Sequence, residues 1–248
     1  MTYQNVRAGE GGVVVSLAVT TAQNSLASGV DTFQRVTGTN RSSIENLTGS
    51  VNDDKLTGDA FANILDGSDG NDTLSADAGA DTLSGGLGDD EINGGTGLDT
   101  ALFLGTASAV VNLAVATAQN TGYGLDLLSG IENLTSGDGA DRLTGNALVN
   151  VLSAYLGDDS LDGAAYNDVL SGGDGADRLT GGAGVDVFVF DTALSATNID
   201  RITDFVVVDD NIRLENDVFL PCHRRSGRHG LCVEHHGCRH HGDAAHHL

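Results

Sequence analysis

Several residue types are scarce or missing from most of this 248-residue chain. It contains no tryptophan, one proline, seven phenylalanines and four tyrosines, so any core must be built from small aliphatic side chains. All eight histidines, all three cysteines and the single proline lie at or beyond Pro221. Residues 1–220 therefore lack the His and Cys ligands that zinc and copper sites favour, and they lack the histidine of an HExxH motif or a catalytic triad. No GxSxG nucleophile motif occurs either, so we expect no catalysis by this chain.

Basic side chains and long apolar runs are also scarce. Twelve Lys and Arg residues face 35 Asp and Glu residues, which gives a formal net charge of −23. This surplus of negative charge argues against binding to nucleic acid or to an anionic membrane through bulk charge. No apolar run approaches the ~18 residues of a membrane span. The first residues, MTYQNVRAGEGG, lack the apolar segment of a secretory signal peptide.

Glycine, in contrast, is abundant, with 35 residues, and it marks a nine-residue period. The period runs through residues 49–102 and 136–189, which form twelve nonapeptides in two blocks of six. The sixth position is Asp in ten nonapeptides and Asn in the other two, at Asn63 and Asn150. The eighth position is apolar in all twelve. Because IENLTGS at 44–50 recurs as IENLTSG at 131–137, the second block is a duplicate of the first.

The nine-residue period predicts strands rather than helices. Nine residues make 2.5 helical turns, so a helix would send the eighth position to opposite faces in successive repeats. A glycine-rich turn followed by a three-residue strand instead places the eighth side chain inside and its neighbours outside. Two such units close one coil of 18 residues. The predicted fold is an all-β, parallel β-roll solenoid with two tandem rolls.

The acidic residues then fall into columns along the two edges of each roll. In the first block Asp54, Asp72 and Asp90 form one column, and the second column begins at Asn63. Adjacent coils lie ~4.8 Å apart, where bare carboxylates repel by roughly 3 kcal/mol per pair at an effective dielectric constant of 20. A cation between them removes this repulsion, and carboxylate and carbonyl oxygens suit Ca²⁺ better than Mg²⁺. The competing interpretation, a solvated acidic surface or a disordered Gly-Asp linker, leaves the regular columns unexplained.

Four nonapeptides, GGLGDDEIN, GGTGLDTAL, GGDGADRLT and GGAGVDVFV, resemble the GGxGxDxUx repeat of the RTX family, whose β-rolls bind Ca²⁺. The resemblance implies that each ion lies between same-edge turns one coil apart. The implied carboxylate pairs are Asp72 with Asp90, Asp81 with Asp99, Asp159 with Asp177, and Asp168 with Asp186. Backbone carbonyls near these glycines would complete the shells: Gly70, Gly79, Gly88, Gly97, Gly157, Gly175 and Gly184.

Some positions depart from the family pattern. Phe61 and Leu148 replace the glycine at the fourth position of the two nonapeptides that have Asn63 and Asn150 at the sixth position. Turn-forming Asn is a better interpretation of these two amides than a metal ligand. Tyr166 also replaces a fourth-position glycine, so we expect a weakened site at Asp168.

The repeat blocks divide the chain into six predicted segments. They are an N-terminal set of strands or cap (1–43), β-roll 1 (44–103), spacer strands (104–130), β-roll 2 (131–190), a C-terminal cap (191–220) and an aberrant, disordered tail (221–248). Residues 182–220 resemble the cap that follows the last roll in serralysin-type C-terminal domains. That resemblance makes Asp200 and Asp204 candidate further ligands.

The composition changes abruptly in the tail, residues 221–248. Its cysteines form no C-x-x-C pair and its one H-x-x-x-H spacing, from His236 to His240, is not repeated, so no regular framework supports a structural zinc site. A run of His, Arg, Gly, Cys and Ala is typical of a GC-rich gene read out of frame. We therefore interpret the tail as a frameshifted or aberrant end, which would damage a C-terminal export signal.

The family resemblance implies a non-catalytic, calcium-binding module of an exported bacterial protein. Such a module leaves through a type I secretion exporter and folds outside the cell, where Ca²⁺ is millimolar. We expect a secreted monomer with Ca²⁺ as its cofactor and with neither nucleic-acid binding nor a membrane span. Two alternatives stay open: a C-terminal fragment of a serralysin-like metalloprotease or other RTX enzyme, and a spacer segment of a large adhesin. An active domain could have preceded Met1, because the chain opens in the middle of a repeat unit.

Overall fold

The computed structural model describes residues 14–17, 22–24, 30–32, 45–193, 195–215, 221–222 and 230–231. For 22–24, 30–32, 221–222 and 230–231 it describes the backbone alone. Every regular element in these ranges is a β-strand, and within them no helix is long and apolar enough to cross a lipid bilayer. Most of the predicted N-terminal segment 1–43 and of the predicted tail 221–248 lies outside the described residues.

The strands are mostly three residues long, as the nonapeptide pattern predicts. Up to the end of the first block they are β1 (Val14–Ser16), β2 (Ala22–Asn24), β3 (Val30–Thr32), β4 (Asn46–Thr48), β5 (Lys55–Thr57), β6 (Ile64–Asp66), β7 (Thr73–Ser75), β8 (Ala78–Gly79), β9 (Thr82–Ser84), β10 (Glu91–Asn93), β11 (Thr96–Gly97) and β12 (Thr100–Phe103). The remaining strands are β13 (Val110–Asn112), β14 (Gln119–Asn120), β15 (Leu125–Ser129), β16 (Asn133–Ser136), β17 (Arg142–Thr144), β18 (Val151–Ser153), β19 (Ser160–Asp162), β20 (Val169–Ser171), β21 (Arg178–Thr180), β22 (Val187–Phe190), β23 (Arg201–Ile202), β24 (Asn211–Leu214), β25 (Pro221–Cys222) and β26 (Gly230–Leu231).

Within each block, parallel pairing joins strands that lie one coil apart, so that residues 18 positions apart in the chain lie side by side. Leu56 pairs with Leu74, and Leu74 pairs with Ile92. On the other face of the coil Leu65 pairs with Leu83. This register confirms the predicted all-β, parallel β-roll, in which two nonapeptides close one coil.

The eighth position of every nonapeptide points into the core. All twelve of these side chains are 0–1% exposed: Leu56, Leu65, Leu74, Leu83, Ile92, Ala101, Leu143, Leu152, Leu161, Leu170, Leu179 and Phe188. They belong to one continuous apolar cluster that runs through both blocks. Because the flanking seventh and ninth residues are half-buried or exposed, except for the buried Val189, alternation along each short strand is enough to define the core.

The two repeat blocks are joined along one face of the solenoid. A nine-stranded sheet runs without interruption in the order β24-β22-β20-β18-β16-β12-β9-β6-β4. At the junction Ala101 pairs with Leu134, which in turn pairs with Leu152. The residues opposite this sheet belong to two separate sheets, β1-β5-β7-β10-β15-β14 and β13-β17-β19-β21-β23. The predicted spacer thus contributes β15 to the first block and β13 to the second.

Two short strands extend the C-terminal end of the roll. β23 adds to β21, and β24 adds to β22, both in parallel. The side chains of β24 are exposed along its whole length, and Ile212 is 52% exposed beside the buried Phe188. Within the predicted tail, the backbones of β25 and β26 pair in antiparallel fashion.

The turns hold several residues in the left-handed region of φ, usually at glycine. The fourth position has φ values of +117° at Gly70 and +135° at Gly157, but the same position in a later turn is Tyr166 with φ +75°. A side chain in this region costs about 1–2 kcal/mol because its Cβ approaches the following carbonyl. Tyr166 therefore strains the turn that precedes Asp168.

Replacement of Tyr166 by glycine should relieve this strain. We expect Tyr166→Gly to raise the free energy of unfolding by up to about 1 kcal/mol, because the gain exceeds the extra entropy of glycine in the unfolded chain. Tyr155 is the matched control, since it is similarly exposed (55% against 60%) but has no positive φ. Tyr155→Gly should lower the free energy of unfolding by about 0.5–1 kcal/mol. Calcium-saturated urea unfolding that shows equal changes for the two variants would contradict this account.

Candidate metal centre

The sixth-position aspartates lie at the end of each turn, immediately before a strand. The eight aspartates predicted as ligands are all buried, with exposures of 0–3%: Asp72, Asp81, Asp90, Asp99, Asp159, Asp168, Asp177 and Asp186. An aspartate is almost never fully buried unless its carboxylate is paired. This burial shows that the aspartates line the inside of each turn rather than a solvated acidic surface.

One carboxylate oxygen of each aspartate is used to join successive coils. Oδ1 accepts a hydrogen bond from the backbone N–H of the residue 18 positions earlier, at 2.7–2.9 Å in all eight cases. In four cases the donor is itself one of the eight predicted ligand aspartates. These four are the predicted pairs, so the structure brings together Asp72 with Asp90, Asp81 with Asp99, Asp159 with Asp177, and Asp168 with Asp186.

The other carboxylate oxygen has no hydrogen-bond partner. In all eight aspartates Oδ2 is buried and accepts no hydrogen bond within the described residues. Glycine at the first position leaves space for it: a Cβ on Gly67 would lie 2.1 Å from Oδ2 of Asp72, and a Cβ on Gly85 would lie 2.1 Å from Oδ2 of Asp90. A buried, unpaired carboxylate oxygen is costly, and a cation is the partner that fits successive oxygens of one column.

Backbone carbonyls crowd the same edges at the fourth position. The carbonyl oxygen of Gly70 lies 2.0 Å from the point where a Cβ on Gly88 would stand, and that of Gly79 lies 1.5 Å from the same point on Gly97. In the second block, the carbonyls of Gly157 and Tyr166 stand in the same way against Gly175 and Gly184. In the described part of the chain, no three His, Cys, Asp or Glu side chains group as a metal site. The oxygens that the structure places along each edge belong to carboxylates and backbone carbonyls, and oxygens of these two types suit Ca²⁺.

The two asparagines that replace aspartate close their own turns. Oδ1 of Asn63 accepts a hydrogen bond from Asp59 N–H at 2.7 Å, and Oδ1 of Asn150 accepts one from Asn146 N–H at 2.8 Å. The amide of Asn150 also donates to the Glu132 carbonyl at 2.7 Å. These contacts are those of turn-forming asparagines, and they supply no second carboxylate to Asp81 or Asp168.

Four acidic residues outside the nonapeptides extend the columns, and the sequence analysis missed three of them. Each accepts the backbone N–H of the last column aspartate below it, at 2.9–3.0 Å: Asp126 from Asp90, Glu132 from Asp99, Asp200 from Asp177 and Asp210 from Asp186. Asp200 is the predicted one. The others lie 36, 33 and 24 residues from their donors, so the 18-residue period contains no signal for them.

Asp204, the other predicted acid of the C-terminal segment, has a different environment. Its two oxygens accept the N–H groups of Gly181 and Gly182, at 3.0 and 2.8 Å. Asp204 thus fixes the last turn of the roll. Because both oxygens already have donors, it fits a structural role better than that of a metal ligand.

Burial raises the pKa of the column aspartates. Removal from water is the main cause, and neighbouring carboxylates add to it, so that the pKa of Asp72 rises to about 7 and that of Asp81 to about 6. The pKa of Asp168 likewise rises to about 7, and those of Asp90 and Asp159 to about 6. The hydrogen bond to Oδ1 opposes the shift without cancelling it. Ionised carboxylates therefore oppose folding unless a cation compensates their charge.

The pH dependence of the calcium-free chain follows from these shifts. A pKa that is higher in the folded chain than its ordinary value of 3.8 means that the folded chain binds protons more tightly. The stabilisation is complete below about pH 4 and is lost as the pH rises through about 6–7. In EDTA we expect the β-type circular dichroism and the free energy of unfolding to increase as the pH is lowered from about 8 to 4.

The variant Asp72→Asn separates this local effect from the fall in total charge. It keeps an Oδ1 acceptor for Asp54 N–H but removes the buried charge, so in EDTA at neutral pH it should be more stable than the parent chain. In saturating Ca²⁺ the order should reverse, because a ligand is lost. Asp69→Asn makes the same charge change at an exposed position and is the control. Equal effects of Asp72→Asn and Asp69→Asn in both conditions would contradict a buried ligand carboxylate.

Comparison with known protein families identifies the type of repeat to which these turns belong. The model of the RTX calcium-binding nonapeptide repeat matches four times, at residues 48–83, 66–101, 128–147 and 153–188. No curated protein matches the chain. The last match ends at residue 188, so the serralysin-type cap predicted for 191–220 stays a prediction. The matched segments contain all eight buried aspartates, and the chain carries RTX calcium-binding nonapeptide repeats that form a Ca²⁺-binding β-roll.

Proposed function

We propose that this chain is a non-catalytic module of an exported protein, and that Ca²⁺ outside the cell drives its folding. In this proposal the chain passes a type I exporter unfolded, because cytosolic Ca²⁺ is too low to bind. It folds as a monomer where Ca²⁺ is millimolar. The eight column aspartates, with the carbonyls at the fourth position, hold the ions. The module then serves to fold and stabilise, and any chemistry belongs to other parts of the exported protein.

The observation that carries the proposal is the row of unpartnered Oδ2 atoms. A fold whose stability did not depend on an ion would close these buried oxygens with donors, as Asp204 is closed by two N–H groups. Here an Oδ2 atom without a donor recurs in successive turns on both edges of the roll. A cation that binds the folded roll but not the unfolded chain stabilises folding by mass action.

The charge of the chain supports the same proposal. Residues 1–220 contain 33 acidic and 8 basic side chains, a formal charge of −25. Self-repulsion of this size disfavours a compact state in the absence of counter-ions. Divalent cations bound within the roll reduce the repulsion and pair the buried carboxylates at once. Since residues 1–220 contain no cysteine, this stabilisation does not involve disulfides.

Calcium titration tests the proposal directly. In EDTA at neutral pH the chain should be expanded, and millimolar Ca²⁺ should produce β-type circular dichroism and a smaller hydrodynamic radius. We expect dissociation constants of roughly 10⁻⁴–10⁻³ M, as in extracellular calcium modules, with positive cooperativity because neighbouring coils share ligands. Mg²⁺ at the same concentration is the control cation. A compact chain in EDTA that does not respond to Ca²⁺ would overturn the proposal.

Single-site variants test which carboxylates hold ions. Asp90→Asn and Asp177→Asn should each raise the Ca²⁺ concentration at half-folding by about tenfold, because each removes a ligand charge between two coils. Asp54→Asn should have a smaller effect. Oδ2 of Asp54 already accepts the N–H of Ser50, and the preceding turn has Asn52 in place of the fourth-position glycine. Equal shifts for all three variants would contradict the pairing of sites at 18-residue intervals.

A further inference from the structure

The junction between the two blocks contains a turn that does not follow the nonapeptide pattern. In a regular coil the turn between two successive long-edge strands consists of six residues, from the first position to the acid at the sixth position, as in residues 94–99 between Asn93 and Thr100. At the junction only Gly130, Ile131 and Glu132 stand between β15 and β16. The turn is therefore three residues shorter than the turns on either side of it, yet it continues the same nine-stranded sheet.

Gly130 takes the place of a first-position residue. In the regular repeats, a Cβ on Gly67 would meet both Oδ2 of Asp72 at 2.1 Å and the first-position carbonyl of the next coil, Gly85 O, at 2.5 Å. A Cβ on Gly94 would meet Oδ2 of Asp99 at 2.7 Å and Gly130 O at 2.1 Å. The same two kinds of oxygen thus face each other across the junction.

Glu132 takes the place of a sixth-position aspartate. Its Oε2 accepts the N–H of Asp99 at 2.9 Å, whereas Oδ1 of Asp99 accepts the N–H of Asp81 at 2.8 Å. The additional methylene of glutamate compensates for the short turn, because it carries the carboxylate back to the column. Asp99 is fully buried, and its Oδ2 has no hydrogen-bond donor within the described residues.

The opposite edge of the same coil ends differently. There Asp126 accepts the N–H of Asp90 at 2.9 Å, and its second oxygen accepts the hydroxyl of Thr121. At that edge the last carboxylate of the column thus has a hydroxyl donor for its second oxygen and does not need an ion there. Glu132 instead borders a cavity of about 90 Å³, also lined by Gly130 and Asn146, which leaves room for water ligands.

We propose that Asp99, Glu132 and the carbonyl of Gly130 form an additional Ca²⁺ site that joins the two repeat blocks. This inference rests on the proposed function, since it requires that the roll bind Ca²⁺. It adds a site built from a residue outside the nonapeptides. The ion links the last coil of the first block to the first strand of the second, on the edge of the unbroken sheet.

Counting bound ions tests the site. Glu132→Gln keeps an acceptor oxygen for Asp99 N–H but removes the charge, so a purely structural role would be retained. We expect native mass spectrometry or equilibrium dialysis in millimolar Ca²⁺ to find one ion fewer than in the parent chain. Glu91→Gln makes the same change on the exposed face of β10 and should keep the full number. An unchanged number of ions in Glu132→Gln would overturn the inference.

A second measurement uses the parent chain and does not depend on how the variant folds. In crystals grown with Ca²⁺ or Tb³⁺, anomalous scattering should give a peak between Asp99 and Glu132 in addition to those of the nonapeptide sites. Peaks within the repeats but none at the junction would overturn this inference alone. A parent chain that binds no Ca²⁺ at all would overturn the proposed function as well, so the two failures are distinguishable.

Discussion

A carboxylate is buried at nearly every turn of this solenoid, and the stacking of the coils depends on how its two oxygens are used. Oδ1 accepts a hydrogen bond from a backbone N–H of the preceding coil and so sets the pairing register at 18 residues. Oδ2 stays without a donor. The same carboxylate therefore positions the backbone and also destabilises the folded roll, because burying an ionised carboxylate without a partner costs free energy. The register of the coils and the dependence of their stability on a cation therefore both come from one aspartate in each turn.

The glycines follow from the same stacking. Carbonyl oxygens of one coil point at the fourth position of the next, so close that a side chain there would collide with them. In two of the four turns that lack a fourth glycine, those of Phe61 and Leu148, the sixth position is asparagine, and its side-chain oxygen accepts a hydrogen bond from within the turn. In these two turns the fourth glycine and the sixth-position carboxylate are lost together, whereas the turns with Asn52 and Tyr166 keep Asp54 and Asp168.

The regular part of this structure could be predicted from the sequence because its period is fixed. The nonapeptides predicted the parallel roll, the apolar ladder from Leu56 to Phe188 and the neighbouring aspartate pairs. The junction could not be predicted in this way. Its strands pair residues 32–36 positions apart, as Val111 with Leu143 and Ile92 with Leu128, and such offsets depend on tertiary packing. Glu132 lies in the duplicated IENLTSG segment, but a glutamate three residues into a short turn matches no position of the nonapeptide, so the period did not mark it as a column acid.

The break in only one of the two layers has a mechanical consequence. One wall of the solenoid is a single sheet of nine strands, while the opposite wall changes from a six-stranded to a five-stranded sheet at the junction. Bending that opens the divided wall separates few hydrogen bonds, whereas bending in the other direction must stretch an unbroken ladder. We therefore expect the described part of the solenoid to bend most easily at the junction, in the direction that opens the divided wall, and the segment 104–130 sets the position of that junction.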